Sequence, residues 1–323
     1  MKRTLMKDLA AAAGVSVSQV SRALGQKGEV APELRQRIHE LAREMNYRNC
    51  ARNRPRTIAV LCGSFGEFSS GVLNGIEREI RSRGWRMAVI PFDSIELLND
   101  RLYDGAVGLP GCDLARSWHE RHRIPLVLIN NYGWMPDRVC SVFPDSNGES
   151  RLAMEHLISL GHRKIGRIRL VPESASERER NRGLDEFLRV AARHGILESV
   201  RYVPMPDWRA LEAELPRMLE DGFTAFIAVF MVETQRLMNL IRRCGRRIPE
   251  EVSLVSYEDG ALSPFLDPPV TALEYDYGGL AAQALDQLGA EIEGRGRLRA
   301  IVVPGRLIVR GSTAAAPRKR REI

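Results

Sequence analysis

The residues best suited to chemistry lie near the start of the chain, where a short helical pattern carries hydrogen-bonding side chains and no acidic residue. The first turns of this helix would present Val17, Ser18 and Arg22, which are side chains able to read base edges in a DNA major groove. Ser16 and Ser21, with the free backbone N–H groups at a helix start, are suited to phosphate oxygens. A three-helix packing unit with no nucleic-acid partner is the alternative interpretation.

Three short helices are predicted to position these side chains. The first covers residues 6–13, the second covers 17–24 with Ser16 as its N-cap, and the third begins at Pro32 and ends near Met45. Their apolar residues can form a small shared core, made of Leu9, Ala13, Val20, Leu24, Ile38, Leu41, Ala42 and Met45. Two helices joined by a tight glycine-containing turn and braced by a third are typical of a helix-turn-helix.

Charge is concentrated in the same part of the chain. Residues 1–56 hold twelve lysines and arginines against five acidic residues, a net charge of +7 that equals the net charge of the whole sequence. A basic head on a neutral body favours a polyanionic partner. Residues 49–56 are basic and polar and include Pro55, so we predict a linker in which Arg52 and Arg54 could contact phosphates.

The body, residues 57–312, alternates short apolar runs with amphipathic helical patterns, which predicts parallel sheets covered on both faces. Its length suggests two doubly wound lobes. The fold class is therefore α/β, with an all-α helix-turn-helix head (1–48) before a two-lobed doubly wound core. The strand candidates are 57–62, 86–91, 105–109, 125–130, 164–170, 223–230, 252–257 and 299–303. Residues 313–323 are predicted to form a disordered basic tail.

Several classes of function find no support in the sequence. The body has no glycine-rich dinucleotide loop, no phosphate-binding GKS/T loop and no GxSxG turn, so we expect neither an enzyme nor a cofactor. Five scattered cysteines without a CxxC pair predict no metal site. The first residues make a poor signal peptide and no apolar run reaches membrane-spanning length, so we expect a cytoplasmic protein. A solute-binding protein and an α/β enzyme remain as competing classes.

Two segments of the head, MKDLAAAAGVSVSQVSRAL (6–24) and VAPELRQRIHELAREMNYR (30–48), resemble the start of LacI/GalR-family transcriptional regulators. The resemblance implies that the positions named above as base readers do read bases, and that Ser16, Ser21 and Tyr47 touch the DNA backbone. Gln19 stands where the family usually has threonine, and the resemblance implies that it too contacts DNA. Family members kink DNA with a leucine from a hinge helix, but no leucine occurs between Tyr47 and Ile58.

The body resembles the two-lobed, periplasmic-binding-protein-like domain of the same family. The segments that carry this resemblance are HLISLGHRKIG (156–166), RRIPEEVSLVSYED (246–259) and VPGRLIVRGST (303–313). It implies three chain crossings between the lobes and a small-molecule effector, a sugar or similar polar ring, in the cleft. The positions implied for effector binding are Phe68, Asn130, Arg180, Trp208 and Glu258.

One departure from the family concerns the helix that follows residues 223–230. The polar Asn-Asp pair that usually opens this helix is Phe230-Met231 or Val232-Glu233 here, depending on alignment, so the cleft could take a more apolar ligand or none. Together these features predict a homodimeric, ligand-modulated repressor that binds a double-stranded DNA operator.

Overall fold

A computed structural model describes residues 5–25, 30–45, 47, 55–63, 65–97, 102–111, 124–131, 139–170, 183–205, 208–257, 262–296 and 300–317. The head contains three helices, α1 (Met6–Ala13), α2 (Val17–Gly25) and α3 (Pro32–Glu44), close to their predicted bounds. Helix α1 ends at Gly14, whose φ of 67° lies in the left-handed region that glycine adopts without strain. The helices enclose a core that contains Leu9, Val20 and Ile38, each fully buried.

Lobe 1 is built on a six-stranded sheet ordered β11-β5-β4-β3-β1-β2, in which every pairing is parallel. The strands are β1 (Thr57–Cys62), β2 (Arg86–Pro91), β3 (Gly105–Gly108), β4 (Leu126–Ile129), β5 (Cys140–Pro144) and β11 (Ala300–Val303). Helices α4 (Glu67–Ser82) and α9 (Tyr277–Ile292) pack against one face of this sheet, where they share a core with the strands. A second apolar cluster, which includes Phe92 and Ile95, covers the other face.

Lobe 2 repeats this arrangement with the order β12-β10-β9-β8-β6-β7, except that β12 pairs antiparallel with β10. Its strands are β6 (Ile165–Leu170), β7 (Val200–Met205), β8 (Ala225–Ala228), β9 (Ser253–Ser256), β10 (Thr271–Glu274) and β12 (Arg306–Ile308). Its helices are α5 (Ser146–Ser159), α6 (Leu184–Arg193), α7 (Trp208–Glu220) and α8 (Met231–Arg243). The predicted pair of doubly wound lobes is therefore confirmed.

The chain crosses between the lobes three times, after β5, after β10 and after β11. At the first crossing the Asp145 carboxylate caps α5 by accepting a hydrogen bond from the Gly148 N–H at 2.8 Å. At the second crossing Asp276 caps α9 in the same way through Gly279, at 2.7 Å. A Cβ atom on either glycine would overlap the capping carboxylate, so the Asp-x-x-Gly spacing fixes both crossings. The third crossing passes through Gly305.

Four strands, β5, β7, β10 and β12, were not singled out from the sequence. Strand β7 contains Pro204, which is tolerated because β7 lies at the edge of its sheet. The prediction of a disordered tail from residue 313 is wrong for its first residues, which are fixed to lobe 2. Thr313 Oγ1 lies 3.0 Å from His156 Nε2, and the Ala316 N–H donates to the Leu160 carbonyl at 2.8 Å.

The buried side chain of His162 contacts this C-terminal segment and helps to hold it against lobe 2. His162 is 1% exposed; its Nδ1 lies 2.9 Å from Thr224 Oγ1, and its Nε2 lies 2.9 Å from Ser253 Oγ and 3.1 Å from the Ala314 carbonyl oxygen. Burial lowers the pKa of His162 below its ordinary value, and the neighbouring His156 acts in the same direction, although the Ala314 carbonyl opposes the shift. The folded state therefore favours the neutral form of the His162 ring.

We predict that thermal stability falls as the pH drops below about 6.5. In this range His162 is protonated in the unfolded chain, whereas its lowered pKa keeps it neutral in the folded protein. The loss continues until the pH reaches the lowered pKa of the folded state. His162→Ala should destabilise the protein by roughly 2–4 kcal/mol at neutral pH and flatten this dependence, leaving the part due to His156. Melting curves between about pH 7.5 and 5.5 test this. His194→Ala, at a surface histidine, is the control, and an unchanged pH slope in His162→Ala would refute the assignment.

Candidate functional site

Helix α2 buries one face and exposes the other. Val20 and Ala23 are fully buried against α1 and α3. The opposite face exposes the predicted base readers and phosphate contacts: Ser16, Val17, Ser18, Ser21 and Arg22. Val17 is 46% exposed although it is apolar, and no acidic residue occurs on this helix. An exposed face of this kind can enter a major groove, because nothing on it repels phosphate.

The start of α2 is held by a reciprocal cap between Ser16 and Gln19. Ser16 Oγ accepts a hydrogen bond from the Gln19 N–H at 3.2 Å, while Gln19 Oε1 accepts from the Ser16 N–H at 3.1 Å. This is the Ser-x-x-Gln form of the capping box, and it confirms Ser16 as the N-cap. Gln19, half-buried, is thus engaged within the helix in the absence of DNA. Its predicted contact with DNA would require the cap to be shared or exchanged.

Tyr47 lies after α3, where its N–H donates to the Ala42 carbonyl at 2.8 Å and its ring packs against the head core. This position is compatible with a contact from its hydroxyl to the DNA backbone, which stays a prediction. Arg52 and Arg54 lie outside the described residues. Arg56, at the end of the linker, is docked on lobe 1: its guanidinium lies 5.1 Å from the centre of the Trp85 ring and 2.8 Å from Glu293.

The crossings place the carboxyl ends of the strands of both lobes at the boundary between them, which is where doubly wound folds bind ligands. Phe68, in the first turn of α4, follows β1 at this edge of lobe 1. Its ring makes edge-to-face contacts with Tyr275 and Tyr277, with centroids 5.4 and 5.7 Å away. Asn130 follows β4 at the same edge, with a φ of 51°. The structure therefore brings these two predicted effector residues to one edge of lobe 1.

On lobe 2, Trp208 follows β7 at the corresponding edge and begins α7. The Arg236 guanidinium lies 4.6 Å from the centre of its ring, so one indole face is already covered. Helix α8 begins at Met231, with Phe230 as its N-cap residue. The buried Glu233 carboxylate accepts hydrogen bonds from the N–H groups of Val229 and Phe230, at 3.1 and 3.2 Å, and caps the helix instead.

Two other predicted effector residues, Arg180 and Glu258, lie outside the described residues. The sequence analysis missed Tyr275 and Tyr277, because their contacts with Phe68 join segments that are far apart in the sequence. They also line a cavity of about 520 Å³ between the second and third crossings, which Arg78 and Arg306 border.

Sequence reasoning also missed a buried polar cluster in lobe 2. Arg167 is 1% exposed, and its guanidinium lies 5.3 Å from the centre of the Tyr257 ring and 5.5 Å from that of Tyr202. The Tyr257 hydroxyl donates to Ser150 Oγ at 2.8 Å. Burial raises the pKa of Tyr257, so the phenol stays protonated. The cluster therefore connects α5, through Ser150, to strands at the centre of the lobe 2 sheet.

Among the described residues, no group of histidine, cysteine and acidic side chains could hold a metal ion. The described helices also include none with the length and hydropathy needed to cross a membrane.

Comparison with known families matches two segments of the chain. Residues 5–49 match the family described as bacterial regulatory proteins, lacI family, and residues 154–313 match the periplasmic binding protein-like domain. The first match contains all three helices of the head and the second contains nearly all of lobe 2.

Individual transcriptional regulators are similar to this chain over almost its full length. The HTH-type transcriptional repressor CytR of Escherichia coli (strain K12) is 29% identical, over 97% of each chain. The HTH-type transcriptional regulator MalR of Streptomyces coelicolor is 27% identical, over 98% of each chain. A structure of the transcriptional regulator CelR–cellobiose complex is similar with a TM-score of 0.67 and 22% identity, covering 96% of this chain and all of that one.

The Lac repressor dimer bound to operator and the anti-inducer ONPF also has a TM-score of 0.67, at 21% identity, covering 97% of this chain and all of the other. These likenesses show a shared fold for the head and both lobes together. With its helix-turn-helix head, its exposed α2 face and its periplasmic-binding-protein-like lobes, the chain belongs to the LacI family of transcriptional regulators.

Proposed function

We propose that the protein is a homodimeric repressor that binds a pseudo-palindromic DNA operator, and that a small molecule in the cleft between the lobes changes its operator affinity. The single observation that carries the DNA-binding part is the exposed, acid-free face of α2. The names of the similar proteins support repression, since several are transcriptional repressors. The protein would act without catalysis in the bacterial cytoplasm, where its operator lies.

Coupling between the cleft and the head would pass through the crossings and lobe 1. Any rotation of one lobe against the other must bend the three crossings, two of which are pinned by aspartate caps. Lobe 1 also holds the end of the linker through Arg56, which is ion-paired with Glu293 and covers Trp85. A movement of lobe 1 would therefore reposition the linker. Couplings of this kind typically amount to about 1–3 kcal/mol.

Selection of duplexes from a random-sequence pool tests the proposed function as a whole. The dimer should enrich a pseudo-palindrome whose half-site centres lie one helical turn, or a multiple of it, apart. Failure to enrich any sequence at modest ionic strength would contradict it.

Arg22→Ala should weaken operator binding by roughly 1–3 kcal/mol and relax the preference for particular bases, because the lost guanidinium faces base edges. Arg54→Ala is the matched arginine variant in the linker. It should weaken binding to all sequences alike and reduce the salt slope by about one, because it would remove a phosphate contact. Gel-shift titrations against operator and mutated duplexes separate the two effects. Unchanged base preference in Arg22→Ala would exclude the major-groove assignment.

Gln19 offers a test of capping against DNA contact. Gln19→Glu keeps an acceptor for the Ser16 N–H and should preserve the thermal stability of the head, but it places a negative charge beside phosphate and should weaken operator binding about tenfold or more. Gln19→Ala should lose about 0.5–2 kcal/mol of head stability. Melting curves and gel shifts on the same samples measure both properties. Equal operator affinity of Gln19→Glu and the wild type would place this residue away from the duplex.

A further inference from the structure

The third crossing consists of two residues whose neighbours are fixed in different lobes. Val303 is the last residue of β11, which pairs with β5 in the lobe 1 sheet. Arg306 is the first residue of β12, which pairs with β10 in the lobe 2 sheet. Pro304 and Gly305 are the residues between them. Any change in the angle between the lobes must therefore alter the backbone torsions over this short connection.

The other two crossings pack against this connection. At the start of the first crossing, the Asp145 N–H donates to the Val303 carbonyl at 2.9 Å. A Cβ atom on Gly305 would lie 2.8 Å from the backbone carbonyl oxygen of Glu274, where the second crossing begins. It would also lie 3.6 Å from Oε1 of Glu149, a residue of α5 that is 1% exposed. The three crossings thus form one packed joint around Gly305.

Gly305 is the residue of this joint with the greatest torsional freedom. The ring of Pro304 fixes its own φ at about −65°, and a residue that precedes proline, here Val303, is restricted to extended conformations. Asp145 and Asp276, in the first and second crossings, are held by their hydrogen bonds as helix caps. Glycine, which has no Cβ, can change both torsions at low cost. Residues of this kind absorb the backbone rotation in hinge movements.

The joint is distinct from the topological switch points, where ligands of doubly wound folds bind. The strand order reverses between β1 and β3 in lobe 1 and between β6 and β8 in lobe 2. Gly305 connects β11 and β12, which are edge strands, and three strands separate each of them from the switch point of its sheet. An effect of Gly305 on DNA binding would therefore be exerted through the positions of the lobes.

We propose that Gly305 is the pivot of the movement between the lobes, and that its lack of a side chain sets how closely the second and third crossings approach. Gly305 is then a positioning residue for operator binding. It sets the angle between lobe 2 and lobe 1, and lobe 1 holds the end of the linker through Arg56. This inference rests on the proposed function, because it names the residue at which the proposed lobe movement occurs.

The experiment compares three variants of the full chain. Gly305→Ala adds a methyl group that must push the Glu274 carbonyl and the third crossing apart. Gly278→Ala, in the first turn of α9, is the matched control, because a Cβ atom there would meet Asp276 Oδ1 at 3.5 Å, an ordinary contact. Pro304→Ala releases the fixed φ of the third crossing and tests the same pivot if Gly305→Ala fails to fold. Melting curves and circular dichroism identify the folded variants.

Gel shifts with a selected operator and a random duplex measure the ratio of specific to non-specific affinity. Specific binding requires both heads to be placed on their half-sites, whereas non-specific binding depends mainly on charge. We expect Gly305→Ala and Pro304→Ala each to change this ratio about fivefold or more. Gly278→Ala should stay within about twofold of the wild type. A variant that is only destabilised would lose both affinities alike and keep the ratio.

A folded Gly305→Ala with the wild-type ratio overturns the inference. If Gly305→Ala does not fold, an unchanged ratio in Pro304→Ala overturns it instead. A change in Gly278→Ala as large as that in Gly305→Ala would also overturn it, because the effect would then not depend on the contact with Glu274. A wild-type protein without any preference for one sequence would count against the proposed function itself.

Discussion

The burial of Val20 and Ala23 between α1 and α3 is the constraint on which the DNA-binding account depends. A helix as short as α2 is marginal alone, so packing decides both that it forms and which way it faces. Once these two residues are buried, the helical period leaves Val17, Ser18, Ser21 and Arg22 on the outside. The Ser16–Gln19 cap fixes the first turn, where base contacts would be made.

The two lobes behind the head form the periplasmic-binding-protein-like part of the regulator. Its two lobes have the same strand order, and each carries its switch point at the boundary where the crossings meet. Asp145 and Asp276 cap the helices after two crossings that run in opposite directions, with nearly identical backbone angles. Lobe 1 also holds Arg56, at the end of the linker, through Glu293 and Trp85, so the linker is anchored on the same lobe that carries one edge of the cleft.

The head could be predicted almost completely from the sequence, because its signals are local: a glycine after α1, a serine cap before α2 and a proline at the start of α3. The doubly wound lobes followed from the alternation of apolar runs and helices, and edge strand β7 was missed because Pro204 interrupts its pattern. Contacts between distant segments could not be predicted. Phe68 meets Tyr275 and Tyr277 only because the second crossing returns the chain to lobe 1. Likewise, the cap of α8 by Glu233 and the fastening of residues 313–316 by histidines depend on the packing of lobe 2.

The most direct test of the central claim is methylation protection on a selected operator, which reports access to guanine N7 in the major groove. If α2 lies in that groove, the protein should protect guanines in two clusters related by the symmetry of the site, and Arg22→Ala should lose protection within both clusters. Guanines that remain fully reactive while the protein is bound would show that the duplex is held through its backbone or minor groove, and would contradict the account.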